Sequence, residues 1–301
     1  MDTFYSHGKL LITAEYLVLN GAEALALPTK FGQSLTVEPH ADAGIHWQSF
    51  NSENEIWLET HLSYNNQTLV PDIENELTLR LASILNVAKQ LNPNFLKHEK
   101  GLSVKTYLDF PTNWGLGTSS TLINNIANWA EVNPYKLLGL TFGGSGYDIA
   151  CASNDTPITY KLDETKPIVK AVSFKPSFSE HIYFVHLNIK QNSRDGITHY
   201  KSNRSDKSEA IKAANAITEA LLTCIDLNAF NTLINAHEAI IADIVKLDPV
   251  KANLFTDFKG SIKSLGAWGG DFVMVASVED PTDYFKQKGY LTILSYQDMI
   301  L

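Results

Sequence analysis

The hydrophobic period of this chain changes at Pro111-Thr112-Asn113-Trp114-Gly115-Leu116-Gly117-Thr118-Ser119-Ser120. Before that stretch, Leu102 to Leu108 alternates as a strand does. After it, Leu122, Ile126, Trp129 and Ala130 fall on one helical face. A strand that runs through a glycine loop into a helix makes an all-helical or all-strand chain a poor fit. Two glycines let a backbone approach a ligand closely, and successive N–H groups in such a loop form a nest for anions. The helix that follows adds its positive end, worth roughly 0.3–1 kcal/mol to an exposed charge. The hydroxyls of Thr118, Ser119 and Ser120 can donate to a phosphate or reach a Mg²⁺. The same residues also suit an ordinary strand-to-helix turn with Ser and Thr as caps. The loop is not a Walker A motif, which needs a Lys after its last glycine, and Ser120 breaks the dinucleotide pattern.

The rest of the chain reads as strands followed by mixed helices and strands. Leu10 to Thr13 and Tyr16 to Leu19 read as strand or strand-turn segments, with a turn at Asn20-Gly21. Ser34 to Glu38 alternates, and residues 44–70 look like further antiparallel strands. Leu77, Leu81, Ile84, Leu85 and Ala88 are spaced as one face of a helix. Ile158 to Leu162 reads as a strand. The segment from Lys166 to Ser179, with Pro167 and Pro176, reads as a domain boundary. In the second half, Ile182 to Leu187, Phe272 to Ala276 and Leu291 to Leu294 read as strands. Lys207 to Ile225, Leu227 to Leu247 and Ser261 to Leu265 read as helices. This order predicts an α+β fold with two lobes, and at roughly 150 residues per domain a 301-residue chain suits two.

Composition narrows the function classes. Hydrophobic residues make up 44% and charged residues 19%, so the chain can bury a core. Lys and Arg number 24 against 33 Asp and Glu, a net charge of −9, which argues against a general nucleic-acid or anionic-membrane binder. Room is left for a local basic pocket, although Arg80, Arg194 and Arg204 are the only arginines. Two cysteines, Cys151 and Cys224, make no disulfide framework and no CxxC pair, which suits a reducing compartment. No run of about 18 apolar residues exists, and Glu15 interrupts the first apolar stretch, unlike a secretory signal. The expectation is a soluble cytoplasmic protein.

Other candidate residues stand near glycines. Asp148 follows Gly144-Ser145-Gly146-Tyr147, where a carboxylate can orient or deprotonate a hydroxyl in phosphoryl transfer. It could equally cap a helix beginning near Ile149. Lys9 follows Gly8 near a strand, placed to neutralise a phosphate or keep an aspartate ionised, or to stand solvated. Gly266-Ala267-Trp268-Gly269-Gly270-Asp271 is a third glycine loop, read here as a helix-to-strand connection. The nine histidines are scattered, with no HExxH or comparable metal spacing, and His237-Glu238 reads as a surface or packing pair of a helix. No GxSxG elbow supports a serine hydrolase.

Taken in order, these sites resemble the GHMP kinase family, named for galactokinase, homoserine kinase, mevalonate kinase and phosphomevalonate kinase. Gly8-Lys9-Leu10-Leu11-Ile12-Thr13-Ala14-Glu15-Tyr16-Leu17-Val18-Leu19 resembles the opening G-K-x-x-x-x-G-E-[HY]-x-V-L. Pro111 to Ser120 is similar to the P-x-x-x-G-L-G-S-S phosphate loop. Gly144-Ser145-Gly146-Tyr147-Asp148-Ile149-Ala150 and the C-terminal glycine loop complete the set. The resemblance covers essentially the whole chain. It implies a two-lobed α+β fold of antiparallel sheets and helices, with the active site between the lobes. It further implies an N-terminal ATP-binding domain over 1–167 and a C-terminal domain over 168–301.

Carried over by position, the resemblance implies that Gly115, Leu116, Gly117, Thr118, Ser119 and Ser120 hold ATP, with Ser119 or Ser120 on Mg²⁺. Asp148 would be the catalytic aspartate and Lys9 its partner. Glu15, Tyr16, Ser145, Gly146, Lys190, Ser193 and Arg194 would line the substrate. Tyr16, the Gly144 to Asp148 run, and a likeness of Lys190-Gln191-Asn192-Ser193-Arg194 to K-x-S-[ST] point to phosphomevalonate kinase. Mevalonate kinase comes next, then a sugar or sugar-phosphate kinase. A decarboxylase of the same fold and a non-catalytic binding protein are the other classes weighed. Partners would be ATP and a small molecule, with no nucleic acid or membrane and a homodimer left open. Departures are Ala14 for Gly, Thr118 for Ser, the short third loop, and Leu137 where mevalonate kinases place a Mg²⁺-binding carboxylate.

Overall fold

Alternation at two residues organises the first half of the chain. In the computed structural model, which describes residues 1–97, 100–190, 193–203 and 205–301 and leaves the side chains of Ser193 and Arg194 outside that description, the strands are Asp2–Leu11 (β1), Ala24–Pro39 (β2), Ile45–Phe50 (β3), Ile56–Asn65 (β4), Thr68–Pro71 (β5) and Leu102–Leu108 (β6). In β3 the residues Ile45, Trp47 and Ser49 are buried while His46, Gln48 and Phe50 are half-buried, the split expected of a pleated strand with one core face.

Four helices follow in sequence: Glu76–Leu91 (α1), Thr118–Trp129 (α2), Pro134–Thr141 (α3) and Tyr147–Ala152 (α4). α1 starts in a capping box: Asn75 accepts from the amides of Leu77 and Thr78 at 2.9 and 3.0 Å, and the Thr78 hydroxyl accepts from the Asn75 amide at 2.9 Å. Such a cap contributes about 1 kcal/mol. Leu81, Ile84, Leu85 and Ala88 are buried as predicted, whereas Leu77 stands exposed at the first turn.

The chain divides into two units. The first comprises Met1–Gly8, Phe31–Thr112 and Leu116–Ser153; the second comprises Lys9–Lys30, Asn113–Gly115 and Asn154–Leu301. The chain therefore passes between the units several times. In the first unit the strand order is β5-β4-β3-β6-β2. β3–β4, β4–β5 and β2–β6 are antiparallel, and β3–β6 is parallel. Leu35, Ile45, Trp47, Leu62, Leu85, Ile123 and Ile126 belong to its core. One face of α2 is polar and buried. Asn125 donates to the Gln33 carbonyl at 2.8 Å, Thr121 donates to Gln33 Oε1 at 2.8 Å, and Asn124 donates to Ser6 Oγ at 2.9 Å. Each bond is satisfied inside, so α2 is held in one register against β1 and β2.

The β2–β3 connection is held as tightly. The His40 amide donates to the Gly101 carbonyl at 2.8 Å, and the Leu102 amide donates to the Gly44 carbonyl at 2.9 Å. A Cβ at Gly101 would overlap the backbone carbonyl oxygens of Asp42 and His40. Gly101→Ala is therefore expected to cost about 1–3 kcal/mol, read as a lower denaturant midpoint at unchanged slope.

In the second unit, Tyr16 to Leu19 does not extend as a strand. Ala14 and Tyr16 take positive φ of 62° and 63°, and residues Leu17–Asn20 form a 3-10 turn closed by Gly21 at φ 85°. The left-handed angle at Ala14 is the physical reason for a glycine in the motif that this position departs from. Ala24 to Ala26 of β2 pairs with Ile158–Asp163 (β7), which pairs with Lys166–Ala171 (β8). The stretch expected as a boundary thus begins as a strand, paired along its whole length. β8 lies at the end of the strand order, where Pro167 is tolerated.

Ile182–His186 (β9) is followed by Ser193–Ser202 (α5), Ser208–Leu222 (α6), Leu227–Val245 (α7) and Val250–Leu254 (α8). Then come Ser261–Ser264 (β10), Phe272–Ala276 (β11), Thr282–Gln287 (α9), Ile293–Ser295 (β12) and Tyr296–Met299 (α10). A second sheet has the order β10-β11-β9-β12, antiparallel throughout. The helix predicted over Ser261 to Leu265 is corrected to strand β10. All four of its residues are buried, and a segment with no exposed face carries no period to separate helix from strand. Val185, Phe255, Ile262, Val273 and Phe285 belong to one core of this unit. Among the described residues no helix is long and apolar enough to cross a membrane.

Candidate functional site

In the first unit, two helices open on left-handed glycines. Gly117 is the N-cap of α2, with φ 98° and ψ 45°, and offers no side chain to the first turn. The first intrahelical bond is donated by the Thr121 amide to the Gly117 carbonyl at 3.0 Å. The amides of Thr118, Ser119 and Ser120 are thus the orphan donors of a helix start, aimed along its positive end. Thr118 is half-buried and Ser119 is exposed. Ser120 is buried, and its hydroxyl donates back to the Gly117 carbonyl at 2.8 Å. Of the two hydroxyls expected to reach a metal, Ser119 faces out and Ser120 is committed to its own helix. Leu116 is buried. Leu137 is fully buried in the hydrophobic core.

Gly146 is the N-cap of α4, at φ 87°. The helix begins at Tyr147, so Asp148 lies in the first turn rather than capping a helix at Ile149. A carboxylate there gains from the helix dipole. Asp148 and Ser145 are half-buried. Asn124 ties the two helices together: it donates to the Ala152 carbonyl at 3.3 Å and accepts from the Ser153 hydroxyl at 2.7 Å. The glycine-loop residues from 117 onward and Asp148 therefore share one unit and one bonded pair of helices.

In the second unit, the Lys9 ammonium donates to the Gly115 carbonyl at 2.9 Å. Gly115 is left-handed at φ 68°, and the Asp271 carboxylate occupies the space that a Cβ would need. Lys9, Gly115 at the start of the first glycine loop and Asp271 at the end of the third are thus brought together. The third loop connects β10 to β11, strand to strand, correcting the helix-to-strand reading. The Asp271 amide donates to the Ile189 carbonyl at 2.7 Å, and the Leu187 amide donates to the Asp271 carbonyl at 2.8 Å. Lys190, exposed, follows directly. Ser193 and Arg194 lie outside the described side chains. Trp268 is buried, and its indole Nε1 has no hydrogen-bond partner.

Glu15 and Tyr16 are buried and already engaged. The Tyr16 hydroxyl donates to the Ala267 carbonyl at 2.8 Å, and its ring stacks on Tyr200 at 5.4 Å. Burial, with Glu15 alongside, pushes its phenol up to about 12. Glu15 is fully buried and ion-paired with the equally buried Lys263, whose ammonium also donates to the Ser264 carbonyl at 2.9 Å. His237 Nε2 accepts from the Ala14 amide at 2.8 Å and lies 3.7 Å from Glu15. Glu238 accepts from the Ser264 amide and hydroxyl. Burial raises the Glu15 carboxyl to about 7, against the lowering pull of Lys263. Burial also raises Glu238, and burial together with Lys263 holds His237 well below its ordinary value. The sequence reading missed Lys263. The signal available was Glu15 itself, an acid inside an apolar run that needs a buried cation.

No family model matches the chain, and no curated protein matches its sequence. Solved structures do match its fold. The mevalonate kinase of Methanococcus jannaschii aligns with a TM-score of 0.70 at 13% identity, over 96% of this chain and 94% of that one. Streptococcus pneumoniae phosphomevalonate kinase, solved with phosphomevalonate and AMPPNP, aligns with a TM-score of 0.69 at 13% identity over 98% and 100%. Lactococcus lactis galactokinase, complexed with galactose, aligns with a TM-score of 0.67 at 13% identity over 98% and 92%. The α+β fold of this chain is the fold these kinases share.

Proposed function

We propose that this chain, which has the GHMP kinase fold, is an ATP-dependent small-molecule kinase, with phosphomevalonate as the leading acceptor. The observation that carries this reading is the start of α2: a left-handed glycine N-cap without a side chain, three orphan amides, and the outward Ser119 hydroxyl. Those groups fit a polyphosphate. Thr118, Ser119, Ser120 and the backbone of Gly115, Leu116 and Gly117 are the proposed nucleotide contacts. Ser119 is the better placed of the two hydroxyls for Mg²⁺, because Ser120 is spent inside the helix. With Leu137 in the core, the metal would be held by Ser119 and the nucleotide, and would neutralise charge on the transferred phosphoryl group.

Asp148 is the proposed group that accepts the acceptor's proton or orients its hydroxyl, and Lys9 the proposed cation of the site. Ser145 and Gly146 shape the turn that carries Asp148. Glu15 and Tyr16, expected on the substrate, are buried and engaged with Lys263 and the Ala267 carbonyl, so no substrate contact is proposed for them. Lys190, with Ser193 and Arg194, supplies charge for an acceptor that already bears a phosphate. The two thiols, Cys151 and Cys224, form no disulfide with each other, which fits a reducing compartment.

The test is coupled ADP release with MgATP against phosphomevalonate, mevalonate, homoserine, galactose and several sugar 1-phosphates. Turnover on phosphomevalonate supports the full reading. Turnover on mevalonate or a sugar keeps the chemistry and overturns the substrate. CO₂ release marks a decarboxylase. ATP binding with no turnover on any acceptor overturns the kinase in favour of a binding protein.

A further inference from the structure

The first unit gathers three side chains of metal-ligating type that belong to neither α2 nor α4. β2 ends at Pro39 and β3 begins at Ile45; the connection between them carries His40 and Asp42, and His46 is the second residue of β3. One ligand atom from each of His40, Asp42 and His46 lies within 4.8 Å of the others, and among the described residues no other trio of His, Cys, Asp or Glu does so. We propose that these three residues form a binding site for a divalent transition ion of the Zn²⁺ class.

Three observations support it. The first is a ring nitrogen without a partner. The His46 ring lies between those of His40 and His61, at 3.9 and 4.4 Å between centroids. Its Nε2 is buried and has no hydrogen-bond partner. A buried imidazole nitrogen without a partner is costly to leave so, and a metal ion is a partner that satisfies it.

The second is a fixed scaffold. The connection is bonded to Gly101 and Leu102 at both ends. Gly44, at φ 95°, admits His61 so closely that a Cβ there would lie 2.6 Å from Nε2 of His61. His61 itself is spent: Nε2 bonds the Ala43 carbonyl at 3.0 Å, and Nδ1 bonds Asp72 at 2.8 Å. It anchors the loop and walls the site without supplying a ligand. That arrangement holds ligand-bearing residues in place before any ion arrives.

The third is donor chemistry with an open side. Two imidazoles and one carboxylate suit Zn²⁺, Cu²⁺ or Ni²⁺, whereas Mg²⁺ and Ca²⁺ take oxygen ligands. Three protein ligands leave a fourth position for water or a small anion. His40 and His46 also line a cavity of about 550 Å³, whose wall includes Gln48, Glu59 and Lys105. Tetrahedral donors about 2.0–2.2 Å from Zn²⁺ stand about 3.3–3.6 Å apart, so atoms that lie within 4.8 Å of one another need only a small inward adjustment. Asp42 can do this, because its side chain is 79% exposed; the Asp42 amide donates to His40 Nδ1 at 3.2 Å, which leaves His40 Nε2 as the ring nitrogen open to an ion. The spacing His-x-Asp-x-x-x-His shows no helical metal pattern, because its ligands come from a loop and a strand.

The test is independent of kinase activity. The full chain is titrated with Zn²⁺ against a chromophoric chelator, and with Co²⁺ followed by its visible absorption. One equivalent should bind in the presence of excess Mg²⁺. Asp42→Asn and His46→Ala should each weaken Zn²⁺ by at least about 10–100-fold, the loss seen when even an outer-shell partner of a metal is removed. Zn²⁺ should also raise the melting temperature of the wild type but not of Asp42→Asn, an exposed substitution that leaves the fold intact. No binding by the wild type, or binding unchanged in Asp42→Asn, overturns the site.

Discussion

Lys263→Met is expected to destabilise the protein by about 3–5 kcal/mol near pH 8, the usual cost of removing one partner from a buried ion pair. Lys263 and Glu15 are both fully buried, so removing the ammonium leaves the carboxylate without its cation. The effect depends on pH in a definite direction. The Glu15 carboxyl is raised from 4.5 to about 7 by burial, so the folded state holds the proton more tightly than the unfolded chain. Its favourable contribution is fully present below the unfolded value and is lost as pH rises through the folded one. Without Lys263 that preference for the proton grows, so the variant's deficit should be smaller near pH 5 than near pH 8. Adding Glu15→Gln should restore part of the loss, because the two changes share one interaction and do not add. Denaturant midpoints at the two pH values check this. A loss below about 1 kcal/mol at both would show that the pair contributes little.

Asp148→Asn is expected to lower kcat by about 10²–10⁴-fold on whichever acceptor is turned over, the scale of losing a positioned proton acceptor. The substitution keeps the side chain's shape in the first turn of α4. Loss of the favourable charge at that helix end costs only about 0.3–1 kcal/mol, so the fold survives. The KM for ATP should change little, since the α2 start is untouched. Steady-state kinetics on wild type and variant, with circular dichroism to show equal folding, separates the outcomes. Near-wild-type kcat would remove Asp148 from the chemistry and leave the nucleotide site standing.

Where the chain has one wet face and one dry face, its elements could be read ahead of the structure. β3 and β4 alternate, and the apolar spacing of Leu81, Ile84, Leu85 and Ala88 predicts α1. Reading failed where both faces are dry. Ser261 to Ser264 is buried on every side and carries a lysine, so neither period nor polarity identified it as β10. It failed again at Lys166–Ala171, where two prolines nearby suggested a linker. Proline excludes only central positions of a sheet, and β8 lies at an edge. In the site, the glycines of the three loops were visible as residues, but not which hydroxyl each loop spends on itself. Ser120 turns inward and Ser119 outward through the 3.6-residue pitch of a helix whose start had to be known to within one residue.

Local sequence by itself determined the loops, because positive φ at Gly115, Gly117 and Gly146 is a property of the residue and its neighbours. It also determined that a helix follows each of the last two glycines, and hence where orphan amides would lie. Tertiary structure alone decided which charges are buried together and which histidines meet. Glu15 and Lys263 are 248 positions apart, and His61 joins His46 only through the register of β3 on β4. Short-range propensity acts over a few residues, whereas desolvation and ion pairing depend on distances that exist only once the chain has folded.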